Sequence, residues 1–430
     1  MTVDLVVIGK AYLGGRFEEV AIAVDSGVIV GVTKPPLAPP SNARVEFGEK
    51  FLVLPGMVDL HVHMREPGLE YKEDWRSGSR AAVKGGVTLV VDMPNNRPPS
   101  NSCDRLREKL QRASEKSLVD FAFYAGFNPR LEELEDCGGL YVGFKLYPED
   151  LFAQDAVSVF RRAASVGKPV VVHAEDPSFF RKSRRHSEAR PPVAERAGIL
   201  RALDLAEATG AWLHVTHLST EIGLLEVLRA KVSARHRVTF DVTPHHALLS
   251  EALYSSPLSK VAVVNPPLRS EGDVRAVYAS LRSGLADALV TDHAPHSLEE
   301  KLADNPAPGF PGLELALHLL LDEILSGRLG LPALELYCRR PAELMGFSKG
   351  SIAPGFDGDL VVVAKEEWRV RGEELESRAK YTPFEGRVLR TKTHAVYVRG
   401  LEVYTAGYFM AEKGGRLAVP RGRASGFEAP

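Results

Sequence analysis

The stretch Phe51-Leu-Val-Leu-Pro-Gly-Met-Val-Asp-Leu-His-Val-His63 is an apolar run that finishes on two histidines. Successive side chains of a strand point to opposite faces, so His61 and His63 leave a strand on the same side. Two neutral imidazoles on one face make half of a metal site. The same pair at a wet strand end would be two ordinary polar residues. The rest of the chain bears on both questions, fold and site. After this first run, Leu52–Met64, come seven more short apolar runs: Val87–Met93, Val119–Gly126, Gly143–Tyr147, Pro169–Ala174, Ala211–Leu218, Arg237–Thr243 and Ala286–Thr291. Helical periodicity fills the gaps, over Asp74–Lys84, Cys103–Lys116, Gln154–Ser165, Glu195–Thr209, Thr220–Ser233 and Glu271–Arg282, and Leu313–Leu325 follows the last run. Asn101 or Ser102, Ser219 or Thr220, and Ser270 are placed to cap helices, with Asp or Glu in the first turn. Eight apolar strands alternating with helices over roughly 250 residues is the arithmetic of an α/β TIM (β/α)8 barrel. A doubly wound open sheet is the alternative.

Both ends of the chain read differently. Leu5–Ile8, Val20–Val24 and Val28–Val30 have strand character between Gly and Pro turns, and it returns at Asp359–Val363, Arg387–Leu389 and Thr393–Arg399. Neither end has an obvious core of its own. Pairing them gives a small composite β domain, residues 1–50 and 346–430, interrupted by the barrel at 51–345. The tail from Ala411 to Pro430, rich in Gly, Arg and Ala, reads as loosely ordered.

Of the 430 residues, 44% are hydrophobic and 26% charged, ordinary for a globular protein. A net charge of −2 without a Lys/Arg run recommends neither a nucleic-acid partner nor an anionic membrane. No apolar stretch approaches the roughly 18 residues of a membrane span, and the N-terminus reads as a strand rather than a signal peptide. Cys103, Cys137 and Cys338 are far apart and lack CxxC spacing. They are read as unpaired residues in a reducing cytosol.

The metal-capable residues fall in one place on the expected fold. His61 and His63 end the first run, Lys145 lies late in the fourth, His173 ends the fifth, His217 the sixth, and Asp292 follows the eighth. Strand C-terminal ends form the catalytic face of a TIM barrel, so six residues scattered along the chain become one cluster. Lys145 is either a core-edge lysine in a salt bridge or a buried amine that loses its proton and adds carbon dioxide. The resulting carbamate could bridge two divalent ions sharing a hydroxide, with Asp292 taking and returning the proton. Arg65 alternates in register with the two histidines and offers a fork for a carboxylate. Asn95 and His296 offer polar groups above the same face. Elsewhere, His245 and His246 are placed at the rim of the seventh strand, His214 against a helix, and His293 away from the site. His186, His236 and His318 are read as ordinary surface or helix histidines.

Asp59-Leu-His-Val-His-Met-Arg-Glu-Pro-Gly68, Met93-Pro-Asn-Asn-Arg-Pro98, Phe144-Lys-Leu-Tyr147, Val172-His-Ala-Glu175, His214-Val-Thr-His-Leu218 and Thr291-Asp-His-Ala-Pro-His296 resemble segments of the amidohydrolase superfamily, and within it the dihydroorotases. Asn265-Pro-Pro-Leu-Arg269, Gly309-Phe-Pro-Gly-Leu-Glu314 and Pro383-Phe-Glu-Gly386 join them. The resemblance implies a cytoplasmic enzyme of pyrimidine synthesis that reversibly closes N-carbamoyl-L-aspartate to dihydroorotate. It implies two Zn2+ ions, held by His61, His63, His173, His217, Asp292 and a carboxylated Lys145. Arg65, Asn95 and His296 would bind the substrate carboxylate, and Asn265 with the Pro311-Gly312 backbone the ring amides. A homodimer and association with aspartate carbamoyltransferase are compatible with it. Allantoinases and hydantoinases share the metal ligands but not the Arg65 context. A non-catalytic scaffold of this superfamily would lack one or more of the six ligands.

Overall fold

The run that opens the barrel is two strands rather than one, divided at Pro55-Gly56. A computed structural model describes residues 2–421. In it Phe51–Pro55 lies antiparallel to Leu360–Arg369, pairing Pro55 with Leu360 and Phe51 with Ala364. Gly56 then lets the chain turn where a Cβ would stand 2.1 Å from Thr88 Oγ1. The barrel begins one residue later.

Its strands are β1 (Met57–Val62), β2 (Val87–Asp92), β3 (Asp120–Gly126), β4 (Gly143–Leu146), β5 (Val170–Val172), β6 (Leu213–Val215), β7 (Val238–Val242) and β8 (Ala288–Leu289). All neighbours pair parallel in that order. Helices over Trp75–Lys84, Cys103–Lys116, Ala156–Val166, Pro192–Thr209, Glu221–Ser233 and Glu271–Arg282 connect them, and Ala316–Leu325 follows β8. Of the candidate caps Ser102, Thr220 and Ser270 take the position, each accepting a backbone N–H three residues on. Among the described residues the seam between β8 and β1 has a bridge between Val62 and His293 in place of a ladder. Side chains close it instead: Asp59 accepts the Thr291 N–H at 3.2 Å on both oxygens.

The ends of the chain form the composite sheet. Its strand order is Tyr408–Phe409, Leu401–Thr405, Val388–Val398, Leu360–Arg369, Phe51–Pro55, Val3–Tyr12, Phe17–Asp25 and Val28–Thr33, with Ser41–Glu46 also on Val3–Tyr12. Lys349 ties sheet to barrel, its ammonium 2.7 Å from each of Asp120, Asp357 and Asp359.

Two expectations are corrected. Cys103 and Cys137 form a disulfide, 34 residues apart with Cα atoms at 5.5 Å, because the helix start at Cys103 packs against the 3-10 turn at Leu131–Cys137. Only Cys338 is free, and it is buried. The segment after Ala411 is docked rather than loose as far as it is described. Phe121 donates its N–H to Arg416 O (3.0 Å), Ala418 donates back to Phe121 O (2.8 Å), and Leu417 packs on the core. The rest of the tail expectation, 422–430, lies outside the described residues. Among the described residues no helix is long and apolar enough to cross a membrane.

Candidate metal centre

Strict alternation along β1 would put His61 and Leu60 on opposite faces. Val58 and Leu60 pack inside the barrel with Leu89, Val91 and Ala122, whereas Val62 and Met64 pack outward among the helices with Trp75. The register shift between Asp59 and Val62 exchanges the faces and turns His61 and His63 inward above Leu60.

Three buried aspartates fix the strand ends. Asp59 accepts the His61 N–H (3.1 Å) and the Tyr337 hydroxyl (3.0 Å). Asp92 accepts the Met64 N–H (2.7 Å) and pairs with buried Lys109 at 2.6 Å. Asp241 accepts the His217 N–H (2.5 Å), the Thr216 hydroxyl (3.0 Å) and His214 Nε2 (2.8 Å). His214 therefore faces the neighbouring strand inside the barrel, not a helix. It shares a face with Thr216, and both reach β7.

Arg65, His217 and Asp292 all have left-handed backbones, with φ of 64°, 41° and 47°. Such a conformation in a non-glycine residue costs of order 1 kcal/mol or more and persists where the surroundings enforce it. It also changes the reason Arg65 faces the site. β1 has already ended at Val62, so a turn, not strand alternation, brings the guanidinium round.

The side chains converge in a cavity of about 350 Å³. His61, His63, Lys145, His173, His217 and Asp292 line it, and so do Arg65, Asn95, Asn265 and His296. Pro311 and Gly312 do not. The Gly312 N–H is turned to His293 Nδ1 (3.2 Å), and Pro308 and Gly309 take the wall instead. His245 and His246 are buried behind the rim, His246 Nε2 lying 3.0 Å from Pro266 O. His186 is half-buried and bonds Asn265 Oδ1 at 2.9 Å, so it is no ordinary surface residue.

His61, His63 and Asp292 bring one ligand atom each to within 4.8 Å of one another. Asp292 Oδ1 is 3.2 Å from both His61 Nε2 and His63 Nε2. Each histidine is oriented through its other nitrogen, His61 Nδ1 by Thr216 Oγ1 and His63 Nδ1 by Asn95 Oδ1, both at 2.6 Å. His173 Nε2 meets Glu175 at 2.7 Å, leaving Nδ1 to the cavity, and its ring lies 4.5 Å from that of His217. His217 Nδ1 and Lys145 Nζ are fully buried with no hydrogen-bond partner among the described residues.

The electrostatics suit a cation. Burial, with Lys145 adding to it, holds His61 and His217 well below the ordinary imidazole range. They are thus neutral, as metal ligands must be. Burial brings Lys145 down to about 7, against the pull of Asp292, and raises Asp292 to about 7. A cluster of unpartnered nitrogens around a carboxylate is costly in a protein alone. A divalent ion satisfies it, so the donor set fits a metal.

The amidohydrolase family pattern matches residues 52–403. A dihydroorotase of Methanothermobacter thermautotrophicus is 35% identical over 422 residues, covering 92% of this chain and 93% of that one. The chain belongs to the amidohydrolase family, among the dihydroorotases. A dihydroorotase of Pyrococcus horikoshii is 33% identical across 99% of this chain and 97% of its own. Among solved structures, an L-hydantoinase of Arthrobacter aurescens superposes with a TM-score of 0.91 at 26% identity, over 97% of this chain and all (100%) of that one. The amidohydrolase fold and its dependence on metal thus agree with the His-His-Asp cluster. Sequence reasoning missed the residues behind the ligands of this amidohydrolase: Asp59, Asp241, Thr216, Glu175 and the cavity-lining Arg190, which bonds Glu175 at 3.0 Å. Asp59, Thr216 and Glu175 carried a signal, each standing within two residues of a ligand-type residue in the same motif.

Proposed function

We propose that this dihydroorotase interconverts N-carbamoyl-L-aspartate and dihydroorotate with two zinc ions, held by His61, His63, His173, His217, Asp292 and a carboxylated Lys145. Arg65 carries the reading. The residue is 7% exposed, and its guanidinium bonds Pro295 O at 3.0 Å through Nε and meets His296 at 3.2 Å on the wall of the ligand cluster's cavity. A buried guanidinium with no carboxylate partner among the described residues is a place for a substrate carboxylate.

When bound, the metal supplies Lewis acidity and lowers the pKa of water. The chain does the rest. Arg65, His296 and the amide nitrogen of Asn95 hold the carboxylate, and Asn265 faces the ring amides. In hydrolysis, water adds to the ring amide carbon, Asp292 takes its proton, the carbon–nitrogen bond breaks, and Asp292 returns the proton to the leaving nitrogen. Closure is the reverse.

Hydantoin or allantoin hydrolysis is the rival, given the structural likeness to a hydantoinase. Turnover of dihydroorotate, hydantoin and allantoin by one metal-loaded preparation decides. Dihydroorotate should be the fast substrate. Fast hydantoin or allantoin hydrolysis without dihydroorotate turnover overturns the assignment.

A further inference from the structure

Lys72 lies outside the cavity, on the loop after β1, and its ammonium is buried at the rim. It stands 2.9 Å from Glu300 Oε1 and 3.1 Å from His296 Nδ1. Glu300 is itself anchored by the Tyr71 hydroxyl (2.9 Å) and the Ser297 N–H (3.2 Å). An ammonium has donors only. His296 Nδ1 must accept from it, which puts the ring proton on Nε2, where Pro308 O is 3.0 Å away. The opposite tautomer would aim an Nδ1–H at Glu300 Oε2, 3.4 Å away, while turning that proton toward the ammonium. Each ring nitrogen faces one donor and one acceptor, and the first arrangement makes the two shorter bonds, 3.1 Å to Lys72 and 3.0 Å to Pro308 O, against 3.2 Å to Arg65 and 3.4 Å to Glu300 for the second.

The consequence falls on Arg65. With the proton on Nε2, His296 and Arg65 Nη2 are two donors 3.2 Å apart that cannot bond each other. A carboxylate seated between them would take the Arg65 donor and share the Nε2–H with Pro308 O.

We propose that Lys72 is a positioning residue that locks His296 as the Nε2–H tautomer, so that His296 and Arg65 present paired donors to the substrate carboxylate. This rests on the carboxylate reading given above. Lys72→Met removes the charge and keeps the stem, and Lys72→Arg restores a cation. For Lys72→Met we expect KM for dihydroorotate to rise about tenfold. kcat should stay within about twofold, with metal content unchanged. Lys72→Arg should recover most of the loss. Proton–nitrogen correlation spectra of 15N-histidine-labelled enzyme should show His296 protonated at Nε2 in the parent and lose that signature in Lys72→Met. An unchanged KM in the folded, metal-loaded variant overturns the proposal, and so does an Nδ1–H in the parent. If Lys72→Met does not fold, the parent spectrum alone decides. Arg65→Ala separates the two layers. No KM effect there removes the carboxylate reading itself, whereas a raised KM there beside an unchanged one in Lys72→Met removes only the role of Lys72.

Discussion

Lys145 combines full burial, no hydrogen-bond partner among the described residues and a neutral-range amine beside Asp292. Such a lysine gives up its proton readily, which is what the proposed carbamate requires. Lys145→Ala should lower bound zinc and cut dihydroorotate turnover by more than the roughly 100-fold that loss of an outer-shell partner costs. Full activity at unchanged zinc content, measured by atomic absorption, would remove the carbamate from the scheme. The six ligand-type residues were legible because each ends an apolar run and such positions meet on one barrel face. How they are aimed was not. Arg65, His217 and Asp292 depend on left-handed backbone that neighbouring elements impose, and His61 on a register shift. Asp241 looks in sequence like any strand aspartate, and only the fold brings it under His217.

At the scale of elements, capping residues and helical periodicity located the helices to within a few residues, while pairing between distant segments stayed hidden. Cys103 and Cys137 show why. Their spacing matches no motif, and only packing of the helix Cys103–Lys116 against the following 3-10 turn brings them together. Closing a loop of this length stabilises by about 3–4 kcal/mol in the chain-entropy account. Thermal unfolding with and without reductant should show a lower midpoint when reduced, and alkylation of the unfolded native protein should label one cysteine rather than three. The helix Ala316–Leu325 carries a second test. Its His318 is buried between Thr391 and Thr393, and burial lowers its pKa from 6.5 to about 4. The unfolded chain therefore takes up a proton that the folded one refuses, and stability is lost as pH falls from 6.5 toward 4, by about 3 kcal/mol in full. His318→Gln should flatten that part of the stability–pH curve. An unchanged slope would assign it to other groups.

The whole molecule is a barrel whose two flanking segments share one sheet, and this much followed from strand character at both ends with no core for either. The strand that joins the units did not, since Phe51–Pro55 and β1 are one apolar run in sequence and Gly56 marks the division only once Thr88 and Asp359 are seen beside it. Lys349 is the electrostatic counterpart of that joint. Lys349→Met would leave the buried Asp120 and Asp359, with the half-buried Asp357, without their shared cation, and should cost about 3–5 kcal/mol in denaturant unfolding. A loss under about 1 kcal/mol would mean that Arg399, also on Asp120, holds the joint alone.

The seam between β8 and β1 has a consequence for how the enzyme is made. His61 and His63 stand on one side of it and Asp292 on the other, 229 residues after His63. A ribosome releases the two histidines first and must finish nearly the whole barrel before their partner appears. Contacts of such long range form late in folding. A nascent or truncated chain therefore carries the histidines without Asp292, and the His-His-Asp cluster is complete only once the last barrel strand has been made.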